Sequence, residues 1–408
     1  MTIPLSAPDI GEREIEYVTR VLRSGQLSLG PLVSRFEERF AAYVGSRHAI
    51  AVSSGTSALH LCSRALGLGA GNEVLTSSFS FVASANCALY EGASPVFADI
   101  DPLTLNLSPR EIRMLIEREY AWDSSLRRLT NRRTGRALKA LLPVHIFGVP
   151  CEMDAIGEIA REFGLAVIED ACEALGARWG GRSVGTFGAA GVFAFYPNKQ
   201  ITTAEGGVIV TDDAHLAALC RSLRNQGRDD ESGSLRHVRL GYNYRLSDLH
   251  CALGLAQLDR IEDLLAARAR VAALYSRELA NIPELVLPQA CTTGSAASAR
   301  SWFVYVVRAA VSEPARLRDS LMAGLRRRGI GCQAYFPAIH LQPYFRAMDA
   351  EAAPPLPCTE AASNACLALP FSSRMSEADV REVCAAIREI ICEVHLARSA
   401  QAAHAAPA

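Results

Sequence analysis

Between about residues 10 and 215, short β-branched or aromatic runs alternate with stretches whose apolar residues recur at helical spacing. That alternation restricts the chain to an α/β domain built on a mostly parallel sheet. The segment HAIAVSSGTSALHLCSRALGL reads as strand, polar turn and amphipathic helix, and NEVLTSSFSFVASANCALYEG repeats the order at once. SPVFADID, ALLPVHIFG, AVIEDA and GVFAFY read as further short strands. Residues 246–282 keep a helical period for longer than an average helix and read as a bridge to a second unit. Beyond them, a strand in SWFVYVVRA, a helix in RLRDSLMAGLRRRGI ending at Gly329 and an amphipathic helix in SEADVREVCAAIREIICEV make a small α+β domain. The expected division is 1–255 for the large domain, 256–398 for the small C-terminal domain and 399–408 for an Ala-rich disordered tail. A length of 408 residues has room for both units, because one core seldom serves more than about 250 residues.

Charge excludes one broad class. With 42 basic and 43 acidic residues the net charge is -1, so no bulk field draws the chain to nucleic acid. The basic stretch between Glu117 and Lys139 is interrupted by acidic residues and single aromatics, and reads as a solvated hairpin or loop insertion. The N-terminus lacks the basic, apolar, small-residue order of a secretory signal, and no apolar run approaches the roughly 20 residues that cross a bilayer. A cytoplasmic location is expected. The 12 cysteines are scattered from Cys62 to Cys392 without a C-x-x-C pair, so they read as buried reduced thiols and no metal is expected.

Three local features point to a bound phosphate and to carbonyl chemistry. The turn Ser53-Ser54-Gly55-Thr56-Ser57 opens a helix, where backbone N–H groups and hydroxyls converge on an anion; an ordinary Ser/Thr cap is the plainer alternative. GLGAG at residues 67–71 precedes a strand instead of opening a helix, which removes a dinucleotide loop from consideration. VIED sets Asp170 at the end of an apolar strand, the sheet edge where ligands collect, although an Asp there also caps helices. Finally, GVFAFYPNKQITTAEGGVIVTDD sets Lys199 between two strand-like runs. Only Lys139 and Lys199 are lysine in a chain that otherwise uses arginine. A primary amine retained in an apolar setting fits a nucleophile, since guanidinium cannot form a Schiff base.

The chain resembles the DegT/DnrJ/EryC1/StrS family of sugar aminotransferases, of the fold-type-I architecture, over about residues 5–395. The motifs that carry the likeness are LSLGPLVSRFEERFAAYVG, SSGTSALHL, SFSFVASANCALYEGASPVFADID, PVHIFGVPCEMDAI, VIEDACEALGARWGGRSVGTFG, FYPNKQITTAEGG and LGYNYRLSDLHCALGLAQL, in that order. The resemblance implies pyridoxal 5'-phosphate (PLP) as cofactor, with Lys199 as the Schiff-base lysine and proton carrier and Asp170 as partner of the pyridinium nitrogen. It implies Phe81 stacked on the ring, Gly55, Thr56 and Ser57 on the phosphate, and Asn243 and Arg245 reaching a neighbouring subunit's phosphate across a homodimer interface. Tyr335, His340 and the segment around His145 look substrate-facing.

Two positions depart from the common pattern. Ala194 stands where many relatives place a phosphate-binding serine, and Glu173 stands where Gln or His faces the cofactor hydroxyl. A second anion there needs a hydrogen-bond donor or a raised pKa. Relatives that remove a sugar hydroxyl carry histidine at the lysine position, so Lys199 argues for transamination. The function that follows is transfer of an amino group, with L-glutamate as donor, to a 4-keto-6-deoxy or 3-keto sugar on a nucleotide diphosphate, for polysaccharide or secondary-metabolite synthesis. A keto-cyclitol acceptor is the second enzymatic reading. A non-catalytic binding protein that keeps the fold is the third.

Overall fold

The computed structural model describes residues 3–228, 235–289, 297–348 and 355–405, with side chains up to residue 397. Helices α1 (Glu12–Ser24) and α2 (Pro31–Val44) lead into β1 (His48–Val52), α3 (Gly55–Ala65), β2 (Asn72–Ser77), α4 (Ala83–Leu89), β3 (Ser94–Ala98) and α5 (Pro109–Glu119). The chain continues through β4 (Tyr120–Asp123), β5 (Arg128–Asn131), β6 (Ala137–Leu142), α6 (Met153–Phe163) and β7 (Ala166–Asp170). The small hairpin β8 (Arg178–Trp179) and β9 (Arg182–Ser183) precedes β10 (Ala190–Ala194), β11 (Gly207–Thr211) and α7 (Ala214–Arg224).

The main sheet runs β1-β11-β10-β7-β6-β2-β3. β11 is antiparallel to both neighbours, whereas β10, β7, β6, β2 and β3 pair in parallel. Of these seven strands all except β11 therefore point the same way, and their C-terminal ends share one edge, while β5 joins β6 antiparallel from the side. Helices on both faces bury the sheet, which is why β7, β10 and β11 read as continuous apolar runs and not as alternating ones.

The basic stretch after α5 is a hairpin, β4 against β5, in register from Tyr120–Asn131 to Asp123–Arg128. Its base is anchored by the buried Glu73, which accepts from Tyr120 Oη (2.6 Å), Thr134 Oγ1 (2.9 Å) and Asn131 Nδ2 (3.2 Å). The long helical period of residues 246–282 resolves into two helices, α8 (Asp248–Leu258) and α9 (Ile261–Leu279). The break is held from outside. Asp259 accepts from Tyr17 Oη (2.7 Å) and Arg39 (3.0 Å), and Arg260 donates to Asp9 (2.9 Å) and Glu14 (2.8 Å). Apolar periodicity continues across the break, so the pattern alone could not register the turn.

The small unit holds the antiparallel sheet β12 (Leu285–Val286), β13 (Tyr305–Ala309) and β14 (Cys366–Leu369), with α10 (Pro314–Arg327), α11 (Pro343–Met348), α12 (Pro357–Ala365) and α13 (Glu377–Ala405). Residues 399–405, expected as part of a disordered tail, continue α13. The correction follows from composition, since alanine is the best helix former. The first residues also cross to this unit, where Gly331 N–H donates to Ile3 O (2.8 Å) and Phe371 N–H to Leu5 O (2.8 Å). Asp99, buried at the end of β3, clasps the two units by accepting from Cys358 N (2.9 Å), Thr359 N (2.8 Å) and Thr359 Oγ1 (2.7 Å) at the start of α12. Among the described residues no helix is long and apolar enough to cross a membrane.

Candidate active site

The start of α3 lies at the shared C-terminal edge. Ser54 Oγ accepts from Ser57 N at 3.0 Å and Ser57 Oγ accepts from Ser54 N at 2.9 Å, a reciprocal capping box. Ser57 Oγ also donates to Ser54 O (2.8 Å), so its hydroxyl is satisfied within the turn. Thr56 is half-buried, and the first backbone N–H groups of the helix point outward as anion donors. The helix start is pressed onto the sheet: a Cβ on Gly55 would lie 2.8 Å from both Ala194 Cβ and Cys172 Sγ. Likewise, a Cβ on Gly207 would lie 2.5 Å from the Ser54 carbonyl. Ala194 thus sits directly against the turn. Alanine there offers the helix start no hydroxyl.

Asp170 ends β7 and is only 6% exposed. Burial pushes its carboxyl above the usual carboxylate range, opposed by hydrogen bonds from Cys172, whose N–H donates at 3.1 Å, and by the charge of Lys199. Glu173 is buried one turn further on. Its Oε2 accepts from Phe147 N (2.8 Å) and its Oε1 lies 3.8 Å from Lys199 Nζ. Burial pushes this carboxyl up as well, and the nearby lysine charge opposes the rise. Both conditions for placing a carboxyl group at position 173 are therefore met, a hydrogen-bond donor and a pKa raised toward the neutral form. Lys199 Nζ stands 4.0 Å from the centre of the Phe303 ring. That contact joins the lysine to the small unit.

Phe81, at the same edge beyond β2, is 59% exposed. A large aromatic left open at this edge offers a face to a planar ligand. Asn243 and Arg245 form isolated bridges with Asn225 and Val52, Arg245 donates to Asn225 Oδ1 (3.0 Å), and Tyr244 O accepts from Ser53 N (2.9 Å). GYNYR is thus laid along the end of β1, with Asn243 exposed. Just before it, Leu235 and Leu240 stand 74% and 75% exposed.

Two sequence-derived expectations need correction. His145 is fully buried, with Nδ1 accepting from Cys151 N (3.0 Å) and Nε2 donating to Glu169 (3.1 Å). Neither ring nitrogen is left for a substrate. His340 is buried too, with Nδ1 2.6 Å from Ser78 Oγ and Nε2 3.4 Å from Glu360; burial lowers its pKa. From that loop the half-buried Tyr335 remains, stacked on Phe336 (4.6 Å), which stacks on Phe147 (5.6 Å). Phe303 and Phe147 escaped sequence reasoning because aromatic residues within apolar runs read as core.

The lysine, the two buried carboxylates, the anion-donating helix start and the open aromatic ring are what PLP requires of its host: an amine for its aldehyde, a carboxylate for its ring nitrogen and N–H donors for its phosphate. Comparisons with known proteins agree. The model of the DegT/DnrJ/EryC1/StrS aminotransferase family matches residues 8–388. The spore coat polysaccharide biosynthesis protein SpsC of Bacillus subtilis is 36% identical over 399 residues, 95% of this chain and 97% of that protein. GDP-perosamine synthase of Caulobacter vibrioides is 37% identical over 391 residues, 95% of this chain and 98% of that protein. Among solved structures, S. venezuelae DesV superposes with a TM-score of 0.79 at 34% identity, covering 92% of this chain and 93% of that one. Fold, site chemistry and relatives converge, and the chain is a transaminase that belongs to the PLP-dependent DegT/DnrJ/EryC1/StrS aminotransferase family.

Proposed function

We propose that this chain moves an amino group from L-glutamate to the keto carbon of a nucleotide-diphosphate sugar, a 4-keto-6-deoxy or 3-keto sugar, with PLP held at Lys199. The observation that carries this reading is the Lys199 amine, 3.8 Å from a buried carboxylate, at the sheet edge that also holds Asp170 and the start of α3. When bound, PLP supplies an electron sink for the charge left when a carbon gives up its proton. The rest is work for the protein. Lys199 would hold the cofactor, and its Nζ would serve as the proton carrier. Asp170 would pair with the ring nitrogen and favour its protonated form, a cation that would in turn oppose the burial that raises the carboxyl's pKa. The backbone at Gly55 and Thr56 would receive the phosphate, with Ser57 locking the turn that presents them, while Phe81 would offer its face to the ring. Glu173, already accepting from Phe147 N, accepts from the ring hydroxyl or lends it a proton.

Asn243 and Arg245 reach the phosphate of a second copy, so the active unit is a homodimer. The exposed Leu235 and Leu240 beside them support this, since apolar side chains clustered next to polar ones mark interfaces. The acceptor class is supported by the relatives, one of which makes a GDP-linked amino sugar by name. A cytoplasmic location is supported by the free thiols, which suit a reducing compartment.

Absorption of the purified protein with PLP, before and after L-glutamate, tests the donor half-reaction. A visible band that glutamate bleaches, and that Lys199→Ala never forms, is expected. No band in the wild type would overturn the reading. Mass spectrometry of products from nucleotide-linked keto sugars then tests the acceptor.

A further inference from the structure

Arg268, on α9, is 2% exposed and has no carboxylate in ion-pair contact among the described residues. Its guanidinium donates from Nη1 to Phe303 O (3.0 Å) and from Nη2 to Lys199 O (2.6 Å) and Asn198 O (3.3 Å), while its Nε has no partner. Burial pushes this guanidinium down to about 10. Methionine or leucine would fill the same space without the cost of desolvating a charge. What arginine adds is a rigid fork that spans two acceptors. The two acceptors bridged are the carbonyls of Lys199 and Phe303, the same two residues whose side chains meet at 4.0 Å.

We propose that Arg268 is a positioning residue: it fixes the backbones of Lys199 and Phe303 at the spacing that stands the amine over the ring, and so presents Nζ to the cofactor aldehyde. The inference rests on the reading that Lys199 takes up PLP. Asn198 and Lys199 sit in the loop after β10, whereas Phe303 precedes β13. The guanidinium therefore ties the lysine's orientation to the small unit.

The test uses the full chain and measures how fast added PLP is captured at Lys199, a step in which amine and aldehyde form a C=N bond and release water. Capture is followed by visible absorbance and fixed by borohydride reduction, with the modified residue identified by mass spectrometry. Arg268→Met and Phe303→Leu are each expected to slow capture about tenfold or more, since small misplacements of a reacting atom are costly. Their double variant should be no slower than the worse single, because the two act as one unit. Wild-type capture rates in a folded Arg268→Met chain, or fully multiplicative losses in the double variant, would overturn the inference. Should Arg268→Met fail to fold, Arg268→Lys decides: it keeps a cation and loses the fork, so slowed capture supports the clamp and unchanged capture refutes it. A wild-type chain that captures no PLP at Lys199 would sink the functional reading and this inference with it; capture by wild type and variants alike would sink the inference alone.

Discussion

Glu169→Gln changes one atom beside the active site and should be among the most destabilising conservative substitutions in the chain. Glu169 is fully buried. Its Oε1 accepts from Phe187 N (2.5 Å) and Gly188 N (2.7 Å), and its Oε2 from Gly185 N (2.7 Å) and His145 Nε2 (3.1 Å). A glutamine must turn its NH₂ toward one pair or the other. Facing Phe187 and Gly188 it meets two backbone donors. Facing Gly185 and His145 it meets a third backbone donor and an imidazole N–H that cannot move to the other nitrogen, because Nδ1 already accepts from Cys151 N at 3.0 Å. Either way two buried donors lose their acceptor, at about 1–3 kcal/mol each. A loss of about 4 kcal/mol is therefore expected, a large share of the 5–15 kcal/mol that typically holds a folded domain. Urea unfolding followed by circular dichroism measures it, comparing the transition of the large unit in wild type and variant. A loss below about 1 kcal/mol would refute the accounting and mean that the 185–188 turn repacks around the amide. The turn feeds β10 and, through it, Lys199, so cofactor capture should weaken together with stability.

Ala204 has φ 68° and an exposed side chain, so Ala204→Gly should relieve left-handed strain and stabilise the fold by up to about 1 kcal/mol, part of the gain being offset by the freer unfolded chain; a lower melting temperature would contradict this. For Glu173, burial raises the folded carboxyl above its unfolded value. Its contribution to stability is therefore fully present below the usual carboxylate range and is lost as pH rises through the raised value. Glu173→Gln removes that dependence. The melting temperature of the cofactor-free wild type should accordingly fall relative to the variant as pH climbs from about 4 toward neutrality, and parallel curves would show that Glu173 does not titrate as its burial requires.

Much of this active site was legible before any coordinates. Ser54-Gly55-Thr56-Ser57 announced a helix start because capping is a contact between residues three apart, and the structure has that box. Asp170 could be placed at the end of a strand because a short apolar run closes on its carboxylate, although capping the following turn was an equal alternative. Lys199 stood out as one of two lysines among 42 basic residues. These inferences use chain-local information.

What local information cannot contain is the choice of partner across the fold. His145 follows a strand much as Asp170 ends one, yet its ring turns inward to Glu169, and nothing in its neighbours says so. The helical period of residues 246–282 runs on through a break whose cause lies in Tyr17, Arg39, Asp9 and Glu14, more than 200 residues away in sequence. Arg268 meets Phe303 across 35 residues and Lys199 across 69. The sequence by itself therefore determined the fold class, the capped helix start, the strand-end carboxylate and the candidate amine, because propensity, periodicity and capping act over a few residues. Only the tertiary structure decided which buried polar groups hold that amine in place, because a buried donor or charge is satisfied by whichever carbonyl or carboxylate packing brings to it.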